Sequence, residues 1–172
     1  MFDFLFGNKG LISEKVLAQN KIKVLNRKDI TYDKSNLLTT TGSGKYYTGF
    51  LNKEPVTIKE VEIMSEESLI NEYSLWKEFQ ENENFLHFMG TCIGQKEAIL
   101  VFNSFVCTID QALSTRMIKD DQQRSRITSQ ILKILNILNT KGMIHRDLRP
   151  GIFGLTGNYN VQLLDFGNSY LK

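Results

Sequence analysis

Cysteine is scarce: two residues in 172, Cys92 and Cys107, with no CxxC spacing and no histidine cluster beside them. That argues against a disulfide framework or a zinc site and makes a reducing, cytoplasmic setting the expectation. Long apolar runs are missing as well, since no stretch approaches the roughly 18 residues needed to cross a bilayer. The opening Met1-Phe2-Asp3-Phe4-Leu5-Phe6 is apolar, but it is short, carries Asp3 and lacks the basic region of a signal peptide. It reads as a tail that packs on the domain or frays, with a small membrane or partner contact as the alternative. Charge of one sign is also absent: 21 basic against 19 acidic residues leave a net charge of +2. These charges are interspersed, so no basic stripe marks a nucleic-acid surface.

What is present is a 41% hydrophobic chain, enough for one or two small packed lobes. Residues 11–29 are mixed; Ser13 offers an N-cap and Glu14 a first-turn acid for a short helix. From Asn36 the pattern turns β-prone. Leu37–Thr41 and Tyr46–Thr48 flank Gly42-Ser43-Gly44 as a hairpin, and Asn52–Pro55 forms a second turn. Val56–Ile63 follows as a third strand, with Thr57, Lys59, Val61 and Ile63 on one face. Ser65–Gln80 reads as a helix. Ser65 is its N-cap, Glu66 and Glu67 suit the positive end of the helix dipole, and Leu69, Tyr73, Trp76 and Phe79 form its apolar stripe. Strands are expected at Phe85–Met89 and Ala98–Phe102. A helix at Gln122–Thr140 carries Ile127, Ile131, Ile134, Leu135 and Leu138 on one face and closes at Lys141-Gly142. Two short strands, Ile152–Leu155 and Val161–Leu164, turn at Gly157. This order predicts an α+β fold rather than βαβ alternation.

The last hairpin carries the chemistry. Asp147 precedes its first strand and Asp165 follows its second, and antiparallel pairing brings those two ends together. Glu72 is the other informative acid. It lies on the apolar face of its helix, between Leu69 and Trp76, where a carboxylate is costly unless paired. Lys59 is the expected partner. Gly44-Lys45 is not a P-loop, because that motif needs a glycine where Thr39 stands and a serine or threonine where Tyr46 stands.

His145-Arg146-Asp147-Leu148-Arg149-Pro150 followed by Asp165-Phe166-Gly167 resembles the catalytic loop and metal-binding motif of eukaryotic-type protein kinases. Upstream, Val56-Thr57-Ile58-Lys59 is similar to the family's VAIK strand, Glu72 stands at the αC glutamate, and Gly42-Ser43-Gly44 opens the glycine-rich loop. Tyr47-Thr48-Gly49 and Pro55-Val56 resemble the tyrosine-kinase-like group. The resemblance covers residues 30–172. It implies a protein-kinase-like fold: an extension over 1–29, a small antiparallel sheet lobe with the αC helix over 30–103, and a partial helical lobe over 104–172, truncated after DFG.

The resemblance also implies ATP and Mg2+ as cofactors. Lys59, oriented by Glu72, is then the contact to the α- and β-phosphates, and Asp165 the magnesium ligand. Asp147 is the acceptor of the substrate hydroxyl proton, and Arg149 a second cation near the reacting phosphate. The backbones of Gly42, Ser43 and Gly44 approach the phosphates. Asn103, Ser104 and Phe105 link the lobes beside the nucleotide, with Phe102 behind the adenine, and His145 is a packed structural residue.

The chain departs from the family pattern in places. Ile152 replaces the asparagine that ligates a second magnesium. The glycine-rich loop is about three residues short of G-x-G-x-x-G-x-V and lacks its third glycine and its valine. Thr57 replaces a small alanine, and Gly154 falls where a leucine floors the adenine. The stripe Ile127, Ile131, Ile134, Leu135, Leu138 is expected to lie exposed and to invite a protein partner or self-association. Three readings stay open: a small active kinase, a pseudokinase or regulatory binding module, and a fragment of a longer kinase.

Overall fold

The computed structural model describes residues 14–63, 65–94 and 97–172. Met1–Phe6 and the proposed Ser13 cap lie outside these residues. A short helix α1 (Glu14–Gln19) leads into three strands, β1 (Ile30–Thr41), β2 (Gly44–Leu51) and β3 (Glu54–Glu62). Two tight turns join them. The second holds Asn52 and Lys53 at φ 51° and 73°, the left-handed pair that matches the twist of a two-residue hairpin. Helix α2 (Glu66–Phe79) begins where expected: the Ser65 hydroxyl accepts the Ser68 N–H at 3.1 Å. Strands β4 (Phe88–Ile93) and β5 (Glu97–Asn103) complete an antiparallel sheet of order β1-β2-β3-β5-β4.

The strand expected at Phe85–Met89 is displaced to β4. Asn82 turns the chain by accepting from both Phe85 N–H and Asn84 N–H. Leu86 N–H then donates to the Leu163 carbonyl at 3.2 Å. The Asn84 carbonyl and Leu86 N–H therefore pair with Leu163 in the other half of the molecule, and the sheet starts only at Phe88.

Beyond β5 come β6 (Cys107–Thr108), α3 (Ile109–Ser114), α4 (Asp121–Thr140), β7 (Met143–Ile144), β8 (Phe153–Leu155), β9 (Val161–Leu163) and β10 (Tyr170–Leu171). Strands β8 and β9 form the expected hairpin, extended by β6, and β10 pairs with β7. Helix α4 is capped by Asp120, whose carboxylate accepts the Gln123 N–H at 2.8 Å, and it closes at Gly142 with φ 68°. The expected α+β arrangement, an antiparallel sheet with α2 followed by a part that carries α3 and α4, is thus present. Among the described residues no helix is long and apolar enough to cross a membrane.

One expectation needs correction. The α4 stripe does not stand open for a partner or a second copy. Ile127, Ile134 and Leu138 are buried in the main core, which also holds Met143, Leu155, Val161 and Leu163. Ile131 packs against that core and Leu135 is half-buried. The β8–β9 hairpin and β7 supply the cover. The exposed leucine of the helix is Leu132, on the other face.

The chain before β1 is also tied down. Leu17 and Ile22 are buried. Lys21 accepts the Tyr73 hydroxyl at 2.9 Å, and Leu25 N–H donates to Thr91 at 2.7 Å. It runs along α2 and β4.

If α4 is held this way, Ile134→Ala lowers stability by about 2–5 kcal/mol, whereas Leu132→Ala changes it by less than about 0.5 kcal/mol. Urea unfolding of both variants checks this. Equal losses would show that α4 is not packed on this side.

Candidate nucleotide site

Strand alternation puts Lys59 on the inner face of β3, and the side chain has no solvent exposure. Its ammonium donates to Glu72 Oε1 from α2, to Asp165 Oδ1 at 2.8 Å and to Ser43 Oγ at 2.7 Å. Three segments far apart in sequence therefore meet on one cation. Glu72 has the partner expected for it and accepts as well from Trp76 Nε1 at 3.3 Å. Asp165 accepts from Ser43 Oγ at 2.6 Å and from Gly167 N–H at 3.0 Å.

Burial and charge pull against each other in this cluster. For Asp165, burial would raise the carboxyl pKa, but the Lys59 ammonium overrides it and holds the group well below the usual carboxylate range. Burial works against the Lys59 charge too, yet Asp165 and Glu72 together hold its pKa above the ordinary value. Glu72 is the loser of the three: burial lifts its pKa more than Lys59 lowers it.

The two aspartates are joined through His145. Its Nε2 donates to the Asp165 carbonyl at 2.7 Å, and its Nδ1 accepts the Asp147 N–H at 3.3 Å. The neutral ring satisfies both bonds with one proton, which accords with a structural histidine. Phe166, fully buried, stacks on Phe79 at 5.2 Å and meets Trp76 at 4.5 Å. The Asp165-Phe166-Gly167 segment is thus anchored to α2 on one side and to His145 on the other.

The remaining residues are placed as follows. Asp147 is partly exposed and accepts from Arg149 Nε at 3.1 Å. A second guanidinium nitrogen of Arg149 donates to the Thr40 carbonyl at 3.0 Å, so this cation is committed to Asp147 and to the glycine-loop strand. The side chain of Asn103 is also committed, to His87 N–H and Gln162, which leaves its main chain at the crossing between lobes. Ile152 is fully buried in the core and presents no donor atom.

Gly154 does not leave a hole. A Cβ there would lie 2.7 Å from Leu164 and 2.9 Å from the Phe105 ring, so these two side chains fill the space expected for a leucine. The Thr57 hydroxyl, on the same face of β3 as Lys59, is buried without a partner among the described residues. The donor set fits a metal–nucleotide phosphate group: a cation for phosphate oxygens beside a strongly acidic carboxylate for a metal. The sequence did not disclose that Ser43 bridges Lys59 and Asp165, or that Tyr46 is buried beside Lys59. The strand register, Tyr46 opposite Lys59, is the signal that carries the second point.

The comparisons agree with this geometry. The family model described as the protein kinase domain matches residues 32–171. A Caenorhabditis elegans cyclin-dependent kinase 4 homolog is 43% identical over 49 residues, covering 28% of this chain and 12% of the relative. The human serine/threonine-protein kinase PAK 4 is 26% identical over 117 residues, 65% of this chain and 19% of the relative. The Caenorhabditis elegans serine/threonine-protein kinase pak-2 is 27% identical over 146 residues, 82% of this chain and 27% of the relative. The chain therefore spans between 12% and 27% of the length of these relatives.

The buried His145 has a measurable signature. Burial pushes its pKa below the ordinary 6.5. The unfolded chain takes up a proton near 6.5 that the folded chain refuses, so this residue's share of stability is complete above 6.5 and is lost as pH falls. Thermal unfolding should show wild type losing stability between about pH 7 and pH 5, with a shallower loss in His145→Gln. Parallel pH profiles would place the proton elsewhere.

Proposed function

The chain belongs to the protein kinase domain family, and on that premise we propose that it binds ATP with Mg2+ and transfers the terminal phosphoryl group to a protein hydroxyl. The observation that carries this reading is the buried Lys59–Glu72–Asp165 cluster, joined through His145 to Asp147. When bound, the metal supplies the positive charge that phosphoryl transfer requires.

Each residue then has a role that its surroundings support. Glu72 orients Lys59, whose ammonium faces the phosphates. Asp165, kept ionised by Lys59, is the metal-ligating side chain, and with Ile152 in the asparagine position it works without a second protein ligand of that kind. Asp147 takes the proton of the acceptor hydroxyl. Arg149, held by Asp147 and Thr40, is the second cation at that edge. The main chain of Gly42, Ser43 and Gly44 closes over the phosphates, and the main chain of Asn103 to Phe105 borders the base.

Two finer assignments belong to this reading. The names of the relatives point to serine or threonine as the acceptor. Tyr47-Thr48-Gly49 and Pro55-Val56 support the tyrosine-kinase-like group within the family. The crossing at Asn103 supports a division into a sheet lobe over 30–103 and a partial helical lobe over 104–172.

A titration with ATP, with and without magnesium, tests the reading. Wild type should show saturable, magnesium-dependent binding that Lys59→Met abolishes. Asp147→Asn should keep binding while transfer to a generic serine/threonine substrate protein falls by about 10²-fold or more. Binding without transfer in wild type would make the chain a nucleotide-dependent binding module, and absence of binding would overturn the proposal.

A further inference from the structure

We propose that Tyr46 and Ser43 form a plug, made by the chain itself, that occupies the phosphate end of the nucleotide site and sets how tightly nucleotide binds; this rests on the nucleotide reading above. Tyr46 stands directly opposite Lys59 in the β2–β3 ladder. Directly opposed residues of an antiparallel pair share a face, so Tyr46 points with Lys59 into the space between the sheet and the β8–β9 hairpin. The Lys59 ammonium lies 5.5 Å from the centre of the Tyr46 ring. The Tyr46 hydroxyl donates to the carbonyl of Leu164, the residue before Asp165. One side chain, fully buried, thus spans the gap from sheet to hairpin. The family's loop keeps side chains away from the phosphates by placing glycines there. Here a tyrosine ring enters the same space.

Ser43 completes the plug. Its hydroxyl sits 2.7 Å from Lys59 Nζ and 2.6 Å from Asp165 Oδ1, between the two groups assigned to phosphate and metal. It reaches that position because Gly167 has no side chain: a Cβ on Gly167 would lie 1.9 Å from Ser43 Cβ. Beside the loop is a cavity of about 690 Å³, bordered by Thr41, Lys45, Glu62 and Asn168, which gives the loop tip room to lift. Nucleotide entry therefore exchanges the Ser43 hydroxyl for a phosphate oxygen on Lys59 and takes Tyr46 off the Leu164 carbonyl. The affinity observed is the intrinsic affinity reduced by the fraction of molecules whose loop is lifted.

The test is calorimetric titration of magnesium–ATP into wild type, Tyr46→Ala and Gly167→Ala, each also carrying Lys59→Met as a control. Gly167→Ala retains the Tyr46 ring and displaces the loop tip by contact with Ser43, so it carries the test if loss of a buried ring unfolds Tyr46→Ala. Both single variants should bind at least about tenfold more tightly than wild type, and Lys59→Met should abolish the gain. Wild-type binding as tight as that of the variants, and lost in Lys59→Met, overturns the plug and leaves the nucleotide reading standing. Absence of binding in all three overturns both.

Discussion

A lysine ammonium without solvent exposure is the constraint from which the rest of the structure follows. An isolated buried charge is prohibitively costly, so Lys59 must be met by opposite charge and by acceptors with good geometry. Its own strand supplies none. Glu72 can reach it only if α2 docks on the sheet with its Leu69–Trp76 face inward. Asp165 can reach it only if the β8–β9 hairpin lies under the sheet. The cluster is not a large net source of stability, because desolvation offsets much of the attraction. It acts as a condition: the arrangements that leave Lys59 unpaired are the ones removed.

Around that condition the packing is arranged to hold both carboxylates in place. Phe166 carries Asp165 with it and is stacked among Phe79, Phe85 and Trp76, the first and last of these from α2 and its end. The same helix therefore positions Glu72 by its backbone and Asp165 through aromatic contact. His145 adds a third hold through the Asp165 carbonyl and passes the order on to Asp147. A change in the seat of α2 reaches all three acids together.

Much of this was legible in the sequence. The helix at Ser65–Gln80, the hairpin that ends at Asp165, and the pairing of Glu72 with Lys59 follow from capping, periodicity and the cost of an acid on an apolar face. The start of β4 was not legible, because the Asn84 carbonyl and Leu86 N–H take their backbone partner from β9, a contact between distant segments. The cover over the α4 stripe was missed for a similar reason: the hairpin itself was legible, but its docking against Ile127, Ile134 and Leu138 is a contact between distant segments. At the site, residue types gave the acids and the cation, but the bridging position of Ser43 depends on how a glycine turn leans on Gly167, which no local pattern encodes. Gly154 looked like a gap in the adenine floor, and only packing showed that Phe105 and Leu164 fill it.

The central claim is that Lys59, Glu72 and Asp165 act as one unit, and a double-mutant cycle on Lys59→Met and Glu72→Gln, read by urea unfolding, tests it most directly. If the account holds, Lys59→Met costs about 3–5 kcal/mol by stranding two buried carboxylates, Glu72→Gln costs less because Asp165 still meets the ammonium, and the double variant costs less than the sum by more than about 1 kcal/mol. Losses that add to within about 0.5 kcal/mol would show that the two residues act independently and would contradict it.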